Sequence, residues 1–210
     1  MKTFELVGMN RAERRVDSQT VSDLKTAIDS KSETNAHHVL ASHPLLFEPL
    51  MERVGHHGVW FTNKPQIRPP LTNGKSGEIP DLLLAGRGSG GVEWFLVELK
   101  SPADTLFSKR SRTFSTAANK GLNQLAEYLI YATKFQGSIR EALEIREFAN
   151  PRGILIIGTE EETSNDQELE QLKDFWCNKL QGAMIISSYT RILKRAQLQL
   201  ERDRAALPTV

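Results

Sequence analysis

The stretch PDLLLAGRGSGGVEWFLVELKSP, residues 80–102, decides how this chain is read. Two apolar runs, Asp81 to Ala85 and Val92 to Lys100, flank a glycine-rich turn, which is the pattern of a β-hairpin. Side chains alternate between the faces of a strand, so Trp94, Leu96, Glu98 and Lys100 share one side while Phe95, Val97 and Leu99 share the other. Two charges therefore interrupt an otherwise apolar strand. A buried carboxylate or ammonium is expensive without a partner, so the pair calls for a metal or an ion pair. Asp81 heads the preceding run, and pairing of the two runs brings its carboxylate to the same end of the sheet as Glu98.

Two carboxylates of this kind make a hard-oxygen site suited to magnesium, with manganese as a substitute. The matching chemistry is phosphodiester hydrolysis, with Asp81 and Glu98 holding the cation and Lys100 orienting or helping to deprotonate a water. The opposing reading is an ordinary i, i+2 charge pair at an exposed strand end, with Asp81 a turn residue.

Outward from the hairpin, the N-terminal side reads as helical. Ser22 is a candidate N-cap before Leu24, Ala27 and Ile28, Ser32 caps a second helix to about Ser42, and Pro44 suits the first turn of a third. Residues 56–80 are rich in proline and turn formers and supply short strands and loops. On the C-terminal side a helix runs from about Asn119 to Phe135, followed by a shorter one in GSIREALEIREFA. RGILIIG and AMIISS read as buried strands around the helix DQELEQLKDFWCNKL, and a closing helix spans Tyr189 to about Ala205. That order predicts a mixed α/β sheet.

Bulk properties narrow the class further. The 210 residues suit one domain, and 39% hydrophobic with 25% charged content argues against wholesale disorder. With 27 basic and 26 acidic residues the net charge is only +1, so any case for a polyanionic partner rests on local clusters. A single cysteine, Cys177, excludes an internal disulfide framework and fits a reducing cytoplasm. No apolar run approaches a membrane span, so a membrane partner is not expected. The basic residues Arg68, Lys75, Arg87, Lys109, Arg110, Arg112 and Lys120 follow or flank the Asp81–Glu98–Lys100 site, and the cluster SKRSR is the best local candidate for phosphate contacts with DNA. A merely solvated surface is the other reading. GRGSGG lacks the strand-to-helix setting of a phosphate loop, and the five histidines show no zinc spacing.

Pro80-Asp81 with Glu98-Leu99-Lys100 matches the PD-(D/E)xK motif of restriction-endonuclease-like nucleases. Glu33, His43-Pro44-Leu45-Leu46, Ser101-Pro102, Gln124 with Tyr128, the strand Arg152 to Gly158 and Tyr189-Thr190-x-Ile192-Leu193 resemble the Shedu anti-phage nuclease family over about residues 32 to 195. The resemblance implies a restriction-endonuclease-like α/β fold, a mixed central sheet flanked by helices, over residues 32–210, behind a partly helical N-terminal extension at 1–31. It implies a magnesium-dependent DNA endonuclease of bacterial defence, nicking or cleaving, as a homo-oligomer. Regulation is expected to lie in residues 1–31, in the assembly or in a regulatory protein partner. Glu33 becomes a further acidic member of the metal site, and Gln124 reaches toward the scissile phosphate or the attacking water. Tyr128 follows one turn on. Each has a plainer reading: Glu33 as a first-turn carboxylate favoured by the helix dipole, Gln124 as a surface residue, Tyr128 as packing. The rival function is a non-catalytic nucleic-acid-binding or oligomerisation module on the same fold.

Overall fold

A computed structural model describes residues 6–12, 15–51, 54–67 and 79–205. Arg68 and Lys75 lie outside the described residues. The hairpin of residues 80–102 is formed as β3 (Leu82–Gly88) and β4 (Gly91–Leu99), antiparallel, with Gly88 opposite Gly91 across a two-residue turn. Gly91 has φ +121, a conformation that the missing Cβ permits.

The remaining strands are β1 (Asn10–Arg11), β2 (Val59–Asn63), β5 (Arg152–Ile156) and β6 (Met184–Ser187), and the sheet order is β1-β2-β3-β4-β5-β6. β1 to β4 pair antiparallel, whereas β4, β5 and β6 pair parallel. Parallel neighbours need crossovers. These are α3 (Thr116–Lys134) with α4 (Gln136–Ala142), and then α5 (Gln167–Leu180). They cover the sheet face that carries Trp94, Leu96 and Leu155, where Leu125, Tyr128, Ile139 and Leu169 fill the core. α1 (Ser18–Asp29), α2 (Glu33–Ser42) and α6 (Tyr189–Ala205) cover the other face, packing Leu24, Leu40 and Ile192 on Phe95, Val97, Leu99, Ile154 and Ile156. The chain is thus a mixed α/β protein with a six-stranded mixed sheet between two helical layers, and the face alternation expected of β4 is the one observed. None of the described helices is long and apolar enough to cross a membrane.

Three local expectations are corrected. α1 starts at Ser18, not after Ser22, because the Asp17 carboxylate accepts from Thr20 N at 2.7 Å and from its hydroxyl at 2.8 Å, capping the helix one turn earlier. Pro44–Leu50 is a 3-10 segment rather than an α-helix. Pro49 removes a donor within it. β6 is an edge strand with Met184 and Ile185 only half-buried, whereas β5, between two neighbours, is buried along Gly153–Ile156. Within residues 1–31, Asn10–Arg11 pairs with Trp60–Phe61, and Leu6, Val16 and Leu24 are buried in the two cores.

Candidate active site

The site forms where the antiparallel hairpin meets the parallel strands. Just ahead of β3, Asp81 donates its N–H to the Val97 carbonyl at 3.0 Å, and its Oδ2 accepts from Leu99 N at 2.8 Å. Its carboxylate is thereby pinned against the end of β4, beside Glu98. On β4's other side Lys100 N donates to Ile156 O at 2.9 Å, so parallel pairing with β5 continues past the formal strand end. Backbone bonds on both flanks therefore fix the spacing of Asp81, Glu98 and Lys100.

Glu98 and Lys100 are 4% and 8% exposed. Lys100 Nζ donates to Glu98 Oε1 at 2.6 Å and to Gln124 Oε1 at 2.8 Å. An ammonium carries three donors, so one remains for a further acceptor. Glu98 is pushed up to about 7, first by burial and then by the Asp81 charge, against the opposing pull of Lys100. Two carboxylates thus stand close enough to repel one another, and the ammonium is held by Glu98 and Gln124.

α3 supplies the roof. Its N-terminus is fixed by Ser115, which accepts from Ala118 N, and Gly121, Gln124 and Tyr128 fall on one helical stripe. A Cβ at Gly121 would stand 2.7 Å from Leu155 Cδ1 and 3.2 Å from Lys100 Cε, so the missing side chain is what lets the helix lie on the lysine stem. Gln124 is half-buried and turned onto Lys100. Tyr128 is buried; its hydroxyl donates to Ile79 O at 3.3 Å. Burial, and then the charges of Glu98 and Asp81, raise its pKa.

Beneath the strand end, fully buried Tyr189 at the start of α6 donates its hydroxyl to the Lys100 carbonyl at 2.7 Å. Ser101 Oγ donates to Lys31 O at 2.8 Å, tying the α1–α2 turn to the residue after Lys100. This brings Glu33, the first residue of α2, to the rim, and its charge is felt at the Tyr189 hydroxyl. The Glu33 side chain itself is exposed. Among the described residues no three His, Cys, Asp or Glu side chains converge to hold a metal, so Glu33 does not complete a cluster with Asp81 and Glu98.

The structure therefore brings Asp81, Glu98, Lys100, Gln124 and Tyr128 together and leaves Glu33 at the edge. Of the basic residues, Lys109 and Arg110 are exposed near the tip of a loop closed by the Phe107–Phe114 bridge. Arg112 is engaged with Glu168 and Asp166 at the start of α5. Lys120 is exposed on α3, one turn before Gln124, and Arg87 is half-buried in β3. Sequence reasoning assigned no role to Gly121 or Tyr189. A glycine inside a strongly periodic helix was the available signal for the first; for the second, the signal was its place in the Tyr189-Thr190-x-Ile192-Leu193 run, which carried no role.

The fold and this cluster define a mixed α/β protein whose central strand delivers a carboxylate and an ammonium into a partly desolvated acidic site. A family model described as Shedu protein SduA, C-terminal, matches residues 30–192, and the chain belongs to that family. A search of curated proteins finds no significant match.

Proposed function

We propose that the chain is a metal-dependent DNA endonuclease of the restriction-endonuclease-like, PD-(D/E)xK class, acting in the cytoplasm in defence against phage. The observation that carries this reading is the buried Glu98–Lys100 pair with the Asp81 carboxylate set against it. The donor set fits a hard divalent cation: both ligands are carboxylates, and the burial and repulsion that hold Glu98 near 7 are what a neighbouring dication offsets. Magnesium, or manganese in its place, would be held by Asp81 and Glu98, an arrangement of few protein ligands that suits an ion reluctant to give up its waters. When bound, the cation neutralises charge on the phosphoryl oxygens and acidifies water.

The chain's own groups do the rest. Glu98 and Gln124 aim the Lys100 ammonium, whose remaining donor orients the attacking water or meets the charge developing on phosphorus as one P–O ester bond breaks. Tyr189 and Ile156 hold the Lys100 backbone still while this happens. Glu33, at the rim, is the carboxylate that a bound cation would draw in. Lys109, Arg110 and Lys120 supply sequence-independent contacts to the DNA backbone, and a homo-oligomer would present two sites for two strands.

The test is plasmid cleavage by the purified chain with magnesium, with magnesium plus chelator, and with Lys100→Ala. Nicked or linear product in magnesium alone, lost in both other arms, is expected. Absence of metal-dependent product on supercoiled, linear and single-stranded DNA, with either magnesium or manganese, would overturn the reading. The rival, a non-catalytic DNA-binding module, has the same buried ion pair in its favour, since Lys100 is already engaged by Glu98 and Gln124. It expects DNA binding at low salt with no cleavage.

A further inference from the structure

A second, much smaller polar space lies where β5 and β6 end side by side. It is a cavity of about 10 Å³, lined by Thr159 and Thr163 beyond β5, by Ser187 and Ser188 at the end of β6, and by Lys173 of α5. That is room for one water-sized guest. None of Asp81, Glu98, Lys100, Gln124 or Tyr128 lines it.

Its walls are rich in protons to donate. Ser187 is 2% exposed, and its Oγ is buried with no hydrogen-bond partner. A hydroxyl buried in this way is costly, so the cavity beside it is where its partner belongs. Ser188, also buried, accepts from Arg191 N at 3.1 Å, which engages the oxygen and leaves the hydroxyl proton to give. Lys173 Nζ stands 3.9 Å from Glu160, beyond hydrogen-bond range, while Lys194 takes the same carboxylate at 2.7 Å. The Lys173 side chain is nonetheless largely covered, so its ammonium is short of acceptors from the protein and from solvent alike. Among the described residues no carboxylate lines the cavity.

We propose that this cavity is a site for a single monatomic anion of the halide class, held by the Ser187 and Ser188 hydroxyls and the Lys173 ammonium. A water has the right size but brings two protons of its own to walls that already present donors, whereas a halide accepts from every one and donates none. A monovalent cation could use the hydroxyl oxygens, but the Lys173 charge repels it. The first turn of α6 begins at Ser188, and its positive dipole end favours an anion as well. Occupancy ties the end of β6 to α5 and to the start of α6, where the next residue, Tyr189, holds the Lys100 carbonyl. The inference is independent of nuclease activity.

The test dialyses the full chain into sodium gluconate, whose anion is too large for the cavity, and exchanges it for chloride or bromide at constant ionic strength while thermal unfolding is followed. A saturable rise in Tm with both halides is expected. Ser187→Ala and Lys173→Met should each weaken the apparent halide affinity by about tenfold or more, because each removes a donor to a charged acceptor. Lys179→Met, on the exposed side of the same helix, should leave it unchanged. Wild-type crystals grown in bromide should show an anomalous peak between Ser187 and Lys173, a readout that requires no variant to fold. Equal Tm in gluconate, chloride and bromide overturns the proposal, as does a halide response of undiminished affinity in both cavity variants. A peak without anomalous signal overturns it in favour of water. A Tm that follows exchange of sodium for potassium at fixed chloride, and not the halide, overturns it in favour of a cation.

Discussion

Replacing Gly121 by alanine sets two opposing effects against each other at one carbon atom. Inside a 19-residue helix, glycine to alanine is worth about 1 kcal/mol in favour of the helix. The new methyl, however, would stand 2.7 Å from Leu155 Cδ1 and 3.2 Å from Lys100 Cε. Carbon atoms pack at roughly 3.5–4 Å, so Leu155, with 0% of its surface exposed, must retreat by about 1 Å in a full core. Overpacking of that kind costs about 1–3 kcal/mol. The sum predicts Gly121→Ala to be destabilised by about 1 kcal/mol. The more telling effect is on Lys100: as α3 lifts, the 2.8 Å bond to Gln124 and the 2.6 Å bond to Glu98 lengthen together. Glu98 then loses its compensating charge and titrates above its present value of about 7. Urea denaturation reads the first effect and NMR titration of the Glu98 carboxyl carbon reads the second. A variant more stable than wild type by about 1 kcal/mol, with Glu98 titrating unchanged, would refute the reasoning, because it would mean that α3 does not rest on the lysine stem.

Further predictions follow from the same geometry. Because Glu98 is raised from 4.5 to about 7, the native state holds its proton more tightly than the unfolded chain. The Glu98 contribution to stability is therefore most favourable below pH 4.5, falls as pH rises to 7, and is constant above; a shift of this size corresponds to about 3 kcal/mol. Denaturant titrations of wild type and Glu98→Gln at pH 5 and pH 8 isolate it, and a stability difference that does not change between the two pH values contradicts the raised pKa. Lys100→Met should abolish cleavage and destabilise the chain by about 3 kcal/mol or more at pH 8, with a smaller loss at pH 5 where Glu98 is protonated; equal losses at both would argue against the pair. Tyr189→Phe leaves the buried Lys100 carbonyl without its donor and should cost about 1–3 kcal/mol in urea denaturation, with a loss under about 0.3 ruling out that bond. In DNA binding, Lys109→Ala/Arg110→Ala should weaken affinity across all sequences and flatten its salt dependence, whereas Arg112→Ala, whose cation is already engaged by Glu168, should do so less.

Most of the fold was legible because its periods are long and clean. The alternation in WFLVELK, the helical stripe of Leu122, Leu125 and Leu129, and the short aliphatic run RGILI each specify an element by repetition. What escaped was decided by contacts too short or too distant to leave a period. Asp17 and Ser22 are both competent caps, and only the reach of the Asp17 carboxylate to Thr20 chooses between them. β1 has two residues and exists because β2 offers an edge. The site divides in the same way. Asp81, Glu98 and Lys100 were visible as charges where an apolar strand should continue, but Gly121 and Tyr189 act on Lys100 from two helices that both follow the strand, α3 and α6, and only the packed structure shows it.

This division has a physical consequence for how the site responds to substitution. Asp81 and Lys100 are positioned mainly by main-chain bonds: Asp81 N to Val97 O, Lys100 N to Ile156 O, and the Lys100 carbonyl to Tyr189. Among the described strands, β4 alone has an antiparallel neighbour on one side and a parallel neighbour on the other, and the site lies where those two ladders end. Removing a charge therefore changes the electrostatics without moving the scaffold, while removing Gly121 moves the scaffold without touching a charge. Lys100→Met and Gly121→Ala should both raise the Glu98 pKa, the first with α3 in place and the second with it displaced. If the chain cleaves DNA as proposed, Gly121→Ala should cleave less, and a compensating Leu155→Val, which makes room for the Gly121→Ala methyl, should restore cleavage in that background alone. Rescue in both would mean that the ammonium is dispensable and that position, not charge, governs the site.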